Sequence, residues 1–186
     1  MDLGLKGKVA LVAGASAGLG YAAAEALAAE GANVLLASRD RVRIEEAARR
    51  VTTRTGTTAH GIALDVTKPS AGDLFLAAAR ERFGEPSILL TNAGGPKPGP
   101  FSDLELSDFE DSVRLNFLSA VTLTRAVLPS MKSARWGRIV HVTSTTIHEP
   151  SIGLFLSSSV RPAVAGFSKA LSREVAPYGI TVNVIA

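Results

Sequence analysis

The chain has 186 residues, 46% hydrophobic and 20% charged, enough for one domain with a sizeable core. No apolar run approaches the roughly 20 residues of a membrane span, residues 1–8 lack a secretion-signal pattern, and the absence of Cys excludes disulfides and thiolate metal sites; a cytoplasmic protein without a membrane partner is expected. The net charge of +3 comes from scattered basic residues, with small clusters at 39–43 and 132–138 and few aromatics to stack bases, so no nucleic-acid partner is expected.

Apolar runs alternate with amphipathic stretches along the chain. A strand at 9–13 leads into an Ala-rich helix at 19–30, with Gly31 placed to end it. A strand at 34–37 precedes a charged helix at 41–55 followed by Gly56. A strand at 58–64, a helix at 71–83 and a strand at 88–91 come next. A long helix is predicted at 107–132, interrupted near its end by Pro129. Residues 138–143 form a fifth strand, 162–176 a helix and 181–185 a sixth strand. Strands alternating with helices predict an α/β fold, a Rossmann-type doubly wound parallel sheet with helices on both faces. Right-handed crossovers give the order 3-2-1-4-5-6, with ligands at the carboxyl ends of the strands near the switch point. No repeat or linker marks a second domain, so 1–186 reads as a single dinucleotide-binding domain.

The first strand runs into Gly14, Ala15, Ser16, Ala17, Gly18, Leu19 and Gly20, and a helix follows. Glycines at this spacing permit a tight turn and close approach of backbone to a pyrophosphate. The helix N-terminus offers free N–H groups and a positive dipole end. Between a strand and a helix this is a dinucleotide-binding loop rather than a simple turn. A carboxylate at the end of the second strand would bind the adenosine ribose of NAD(H), but the residues are Ser38 and Arg39. Arg39 is placed to pair with a 2′-phosphate, with Ser16 adding a hydroxyl, and Asp40 is expected to point away. NADP(H) is therefore the expected cofactor; the plainer reading of Arg39 is a solvated surface charge.

Further motifs follow in order: Asp65-Val66 after the third strand, Asn92-Ala93-Gly94 after the fourth, Asn116 in the long helix, Ser144 after the fifth, and the tail through 166–183. With the glycine loop, this series resembles the short-chain dehydrogenase/reductase family over essentially the whole chain. The resemblance implies that Asp65 and Val66 contact the adenine ring and that Asn92, Ala93 and Gly94 line the cofactor cleft. It implies Asn116 and Ser144 as catalytic-site residues, with Ser144 polarising a substrate carbonyl. It also implies a homodimer or homotetramer formed through the long helix and the helix after Pro162. Family members usually continue beyond this point with a substrate-covering segment and a seventh strand, which are expected to be lacking in 1–186. Ala13 stands where the family usually has Thr.

The family's catalytic Tyr and Lys fall at Ser157 and Arg161. An aliphatic hydroxyl is a far weaker acid than a phenol. A guanidinium can fork onto the nicotinamide ribose, but it stays protonated and cannot relay a proton. Pro162 suggests that the last helix begins late, near Ser159. Tyr21, Tyr178 and His141 read as structural, and His60 as a surface strand residue. His148 and Glu149, after the fifth strand, are candidate proton carriers, although a solvent-exposed loop His is the plainer reading. No metal-ligand cluster is present. The expected function is NADP(H)-dependent hydride transfer to or from a small-molecule carbonyl or alcohol, with an atypical active site; the resemblance suggests 3-oxoacyl thioesters or small ketones. The alternative is an NADP(H)-binding sensor or scaffold that has lost the family reaction.

Overall fold

The computed structural model describes residues 2–186. Six strands form one sheet: β1 (Val9–Ala13), β2 (Asn33–Ser38), β3 (Ala59–Ala63), β4 (Ile88–Thr91), β5 (Gly137–Val142) and β6 (Ile180–Ile185). Their order is β3-β2-β1-β4-β5-β6, as the alternation predicts, and every pairing is parallel. The helices are α1 (Gly18–Ala29), α2 (Arg41–Thr55), α3 (Ala71–Arg82), α4 (Leu106–Ser112), α5 (Ser119–Ala134) and α6 (Phe155–Val175). Among the described residues, no helix is long and apolar enough to cross a membrane.

All five residues of β1 are buried, because helices cover both faces of the sheet. Alternate side chains divide between two cores. Val9, Leu11 and Ala13 share one with Phe75 of α3, Leu123 and Met131 of α5 and Leu171 of α6. Ala10 and Val12 share the other with Ala24 of α1 and Ile44 and Val51 of α2. Each large aliphatic or aromatic side chain so placed contributes about 1.5–3 kcal/mol. α2 spans the predicted residues. Asp40 caps it by accepting from the Arg43 N–H at 3.0 Å, and Gly56 ends it in the left-handed conformation at φ 72°.

Two helices differ from expectation. The predicted helix at 107–132 is α4 and α5 joined through a π-helical segment, Val113–Leu118, with Asn116 buried at its centre. Pro129 lies within α5 without ending it. The last helix does not begin near Ser159: it starts at Phe155 and keeps Pro162 inside it. Leu156, Val160, Val164 and Ser168 recur at four-residue spacing and are all buried. Burying Leu156 and Val160 is worth about 1.5–3 kcal/mol apiece. That offsets the roughly 3 kcal/mol cost of an interior proline.

His141 lies in the middle of the sheet and is fully buried. Its Nδ1 is 2.6 Å from the Thr91 hydroxyl on the neighbouring strand, and its ring lies 5.9 Å from that of Phe167. Desolvation pushes its pKa down to about 4, so it is neutral in the folded protein. An unfolded chain binds the proton more readily, with a pKa of about 6.5. This contribution to stability is therefore complete above about pH 6.5 and is lost as pH falls towards about 4. Unfolding free energy is expected to drop by up to about 3 kcal/mol over that interval on this account. In chemical denaturation at graded pH, His141→Gln is expected to flatten the slope; a slope equal to wild type would refute the assignment.

Candidate cofactor and active site

The parallel arrangement brings the carboxyl ends of all the strands to one side. At the β1/β4 boundary, where the strand order reverses, the crossovers diverge and leave a crevice. β1 ends at Ala13, and Gly14 turns the chain with φ 61°. A Cβ on Gly14 would stand 2.6 Å from the Asn92 carbonyl oxygen. Asn92 Nδ2 donates to the Gly14 carbonyl at 3.1 Å, and Ala15 N donates to the Ala37 carbonyl at 3.1 Å. The loop is thus fastened to both neighbouring strands. The Asn92 bond is a link between the first and fourth strands although Ala13 has no hydroxyl. Gly20 packs the first turn of α1 onto this loop, where a Cβ would collide with the Gly14 carbonyl. Ala17 precedes α1 in extended conformation and supplies no side-chain cap. The first-turn N–H groups therefore have no side-chain acceptor at the cap and suit a phosphate.

A cleft of about 790 Å³ opens beside the loop. Of the residues predicted to bind cofactor, Gly14, Ser16, Ser38, Arg39, Asp65, Val66, Asn92, Ala93 and Gly94 line it. Gly18, Leu19 and Gly20 form the first turn of α1 behind the lining, and Leu19 is exposed. Arg161 lies outside the lining. Arg43, unassigned from the sequence, joins Arg39 in the cleft wall. The signal was present: Arg43 follows Asp40 by three residues, which returns its side chain to the end of β2 once Asp40 caps α2. Among the described residues neither arginine lies within ion-pair distance of a carboxylate. Asp40, expected to point away, instead lines the cleft, because capping α2 through Oδ1 keeps it at the end of β2. Asp65 Oδ1 accepts from the Thr67 hydroxyl at 2.7 Å and the Thr67 N–H at 3.0 Å. These bonds hold its carboxyl below the ordinary aspartate value.

Of the residues predicted for catalysis, Asn116, Ser157 and Arg161 are buried and Ser144 is half-buried, all outside the cleft lining. Asn116 is 7% exposed and donates through Nδ2 to the Gly94 carbonyl at 3.0 Å, bracing the β4 loop. Ser144 follows β5, and its Oγ accepts from the Thr146 N–H at 3.3 Å. The Thr146 hydroxyl is 2.9 Å from Ser157 Oγ, and Ser157 is 6% exposed. Ser158 Oγ accepts from Ser151 N, and Ser159 Oγ donates to the Phe155 carbonyl. Arg161, 8% exposed, donates through Nη1 to the Thr143 carbonyl at 2.9 Å and the Val142 carbonyl at 3.3 Å. Burial lowers the guanidinium's pKa from its ordinary value.

The structure does not bring the candidate proton carriers to these residues. His148 is exposed and lines a separate groove with Lys169 and Asn183 that shares no residue with the cleft. Glu149 is exposed beside it. His60 packs on Phe83. Tyr21 lies under Arg50, and Tyr178 near Lys132. Among the described residues, no group of three His, Cys, Asp or Glu is placed to hold a metal ion.

A glycine loop entering an uncapped helix at the switch point of a 3-2-1-4-5-6 sheet defines a Rossmann-type dinucleotide-binding protein. The sequence model of the short chain dehydrogenase family matches residues 8–186. The chain belongs to that family of nicotinamide-dependent, hydride-transferring oxidoreductases. It is 36% identical over 184 residues to the 3-oxoacyl-[acyl-carrier-protein] reductase FabG of Escherichia coli, covering 99% of this chain and 74% of that protein. The structure of L-sorbose reductase from Gluconobacter frateurii complexed with NADPH and L-sorbose superposes with a TM-score of 0.95 at 33% identity, covering 99% of this chain and 70% of that one. NAD+-bound xylitol dehydrogenase superposes with a TM-score of 0.91 at 28% identity, covering 98% and 70%.

Gly20→Ala is expected to weaken dinucleotide binding by at least about tenfold, or about 1.4 kcal/mol, and to lower the melting temperature. Gly166 lies in α6 with open space where its Cβ would go. Gly166→Ala is expected to stabilise by about 0.5–1 kcal/mol with binding unchanged. Fluorescence titration and thermal melts of both variants check this, and undiminished affinity in Gly20→Ala would contradict the packing argument.

Proposed function

We propose that this chain is an NADP(H)-dependent oxidoreductase that interconverts a small-molecule carbonyl and its alcohol, with an active site rearranged from the family pattern. The observation that carries the cofactor choice is the pair of cations, Arg39 and Arg43, in the cleft wall at the end of β2, with no carboxylate within ion-pair distance among the described residues. A 2′-phosphate is a dianionic partner for them. Asp40 also lines the cleft, with Oδ1 engaged as the α2 cap, and the two cations beside it outnumber its single negative charge. NADPH in the L-sorbose reductase complex supports the same reading.

When bound, the nicotinamide supplies or accepts the hydride. The uncapped start of α1 and the loop at 14–20 hold the pyrophosphate, and Asp65 and Val66 flank the adenine. Asn92, Ala93 and Gly94 form the floor, with Asn116 bracing Gly94. Ser144 polarises the substrate oxygen. The Thr146 and Ser157 hydroxyls form a buried hydrogen-bonded pair that relays a proton from solvent water to that oxygen on reduction, each hydroxyl taking up one proton as it gives one away, and in the opposite direction on oxidation. Exposed Leu106, Val113, Leu118 and Phe155 lie on the helices expected to join protomers and support a homodimer or homotetramer.

A second reading, cofactor binding without turnover, draws support from the burial of Ser157 and from Arg161 being engaged by β5. NADPH absorbance against a panel of 3-oxoacyl thioesters, ketones and aldehydes separates the two. Substrate-dependent oxidation by wild type, reduced at least about tenfold in Ser144→Ala, is expected. Tight NADPH binding with turnover only in Ser157→Tyr/Arg161→Lys would transfer the assignment to the second reading. For the cofactor, Arg39→Ala and Arg43→Ala are each expected to raise the NADPH Kd about 5- to 30-fold, or about 1–2 kcal/mol. The NADH Kd is expected to change little; equal losses for both cofactors would refute a 2′-phosphate site.

A further inference from the structure

We infer that Arg161 is a positioning residue that holds the carboxyl end of β5, and through it Ser144, from behind the cofactor cleft rather than binding the cofactor. The inference rests on the oxidoreductase reading above. The guanidinium reaches two successive carbonyls, those of Val142 and Thr143, and the next residue is Ser144. Thr143 is held from the other side as well: its N–H donates to the Ile185 carbonyl at 2.7 Å and its hydroxyl to the same oxygen at 2.9 Å. The peptide leading into Ser144 is therefore gripped between α6 and β6. Ser144 leaves that grip in extended conformation, with its Oγ accepting from Thr146 N.

The position of Arg161 favours this role over contact with the nicotinamide ribose. It lines a small pocket of about 10 Å³ together with Asn116 and Ser119, not the 790 Å³ cleft. Val66, Asn92 and Ala93 line both spaces, so the pocket lies against the other side of the cleft floor. Asn116 braces the end of β4 through Gly94, and Arg161 braces the end of β5. Two buried polar side chains at one pocket thus fix the neighbouring strand ends that carry the cofactor floor and Ser144. Both bonds leave one end of the guanidinium fork, Nη1, whose two N–H groups lie in a fixed plane. The isolated charge also has a physical reason to stay where it is. Among the described residues no carboxylate lies within ion-pair distance, and the β5 carbonyls supply the partial negative charge it faces.

The test compares Arg161→Met, which removes the fork and keeps the length, with Arg161→Lys and Arg161→Gln. NADPH Kd is read by fluorescence titration, kcat and KM with the best carbonyl of the panel, and amide hydrogen exchange at Thr143–Thr146 by mass spectrometry. Arg161→Met is expected to keep the NADPH Kd within about threefold, to lower kcat at least about tenfold and to speed exchange at Thr143–Thr146. Arg161→Lys is expected to recover part of both losses. A rise of about tenfold or more in NADPH Kd with a cooperative melt retained would overturn the inference, as would unchanged exchange. If Arg161→Met does not fold, Arg161→Gln, which keeps one donor, carries the same comparison. If wild type binds NADPH without turnover, the oxidoreductase reading fails, and Kd and exchange still decide the role of Arg161.

Discussion

The contact between Gly14 and Asn92 is the constraint on which the rest depends. Gly14 ends the first strand with positive φ, leaves no room for a Cβ and gives its carbonyl to Asn92 at the end of the fourth strand. These strands are neighbours in the sheet although five elements, α1, β2, α2, β3 and α3, intervene along the chain. Closing that seam fixes the distance between the glycine loop and the Asn92-Ala93-Gly94 floor. Gly20 then docks α1 against the loop so that its first-turn N–H groups meet the cleft. The binding surface is largely main chain, which is why its shape follows from the fold and from small residues rather than from large side chains.

Around that seam, charge and hydroxyl chemistry separate to opposite ends. Arg39 and Arg43 stand in the wall at the end of β2 with no carboxylate within ion-pair distance among the described residues, while Asp40 and Asp65 each accept through Oδ1, from the α2 N-terminus and from Thr67. Beyond β4 the polar groups turn inward: Asn116 to Gly94, Ser157 to Thr146, Arg161 to the β5 carbonyls. Relative to a Tyr–Lys pair, Ser157 and Arg161 exchange an acidic phenol and a titratable amine for a short alcohol and a permanent cation. The charged groups of the cleft thus gather at the ends of β2 and β3, while neutral hydroxyls stand where the family pattern has a phenol.

Much of this was legible in the residues. Buried strands with no polar alternation, glycines at helix ends and the loop at 14–20 specified the sheet order and the cleft, because short-range sterics determine both. The charged run at 41–55, closed by Gly56, gave the bounds of α2, whereas the capping role of Asp40 emerged only from the fold. The start of α6 was not legible, because Pro162 argues locally against a helix that Leu156, Val160 and Val164 stabilise by burial. The π segment around Asn116 was equally hidden, since its register is set by packing against α6 and the β4 loop. The direction of Arg161 depended on two backbone carbonyls that no spacing rule names. His148 looked available from its loop position and proved to face a different groove.

A crystal structure of the protein with NADPH bound tests the central claim most directly. The account predicts the pyrophosphate over the loop at 14–20, the 2′-phosphate between Arg39 and Arg43, and the Arg161 guanidinium still on the Val142 and Thr143 carbonyls. A 2′-phosphate turned away from both arginines, or Arg161 swung through the cleft floor onto the nicotinamide ribose, would contradict it.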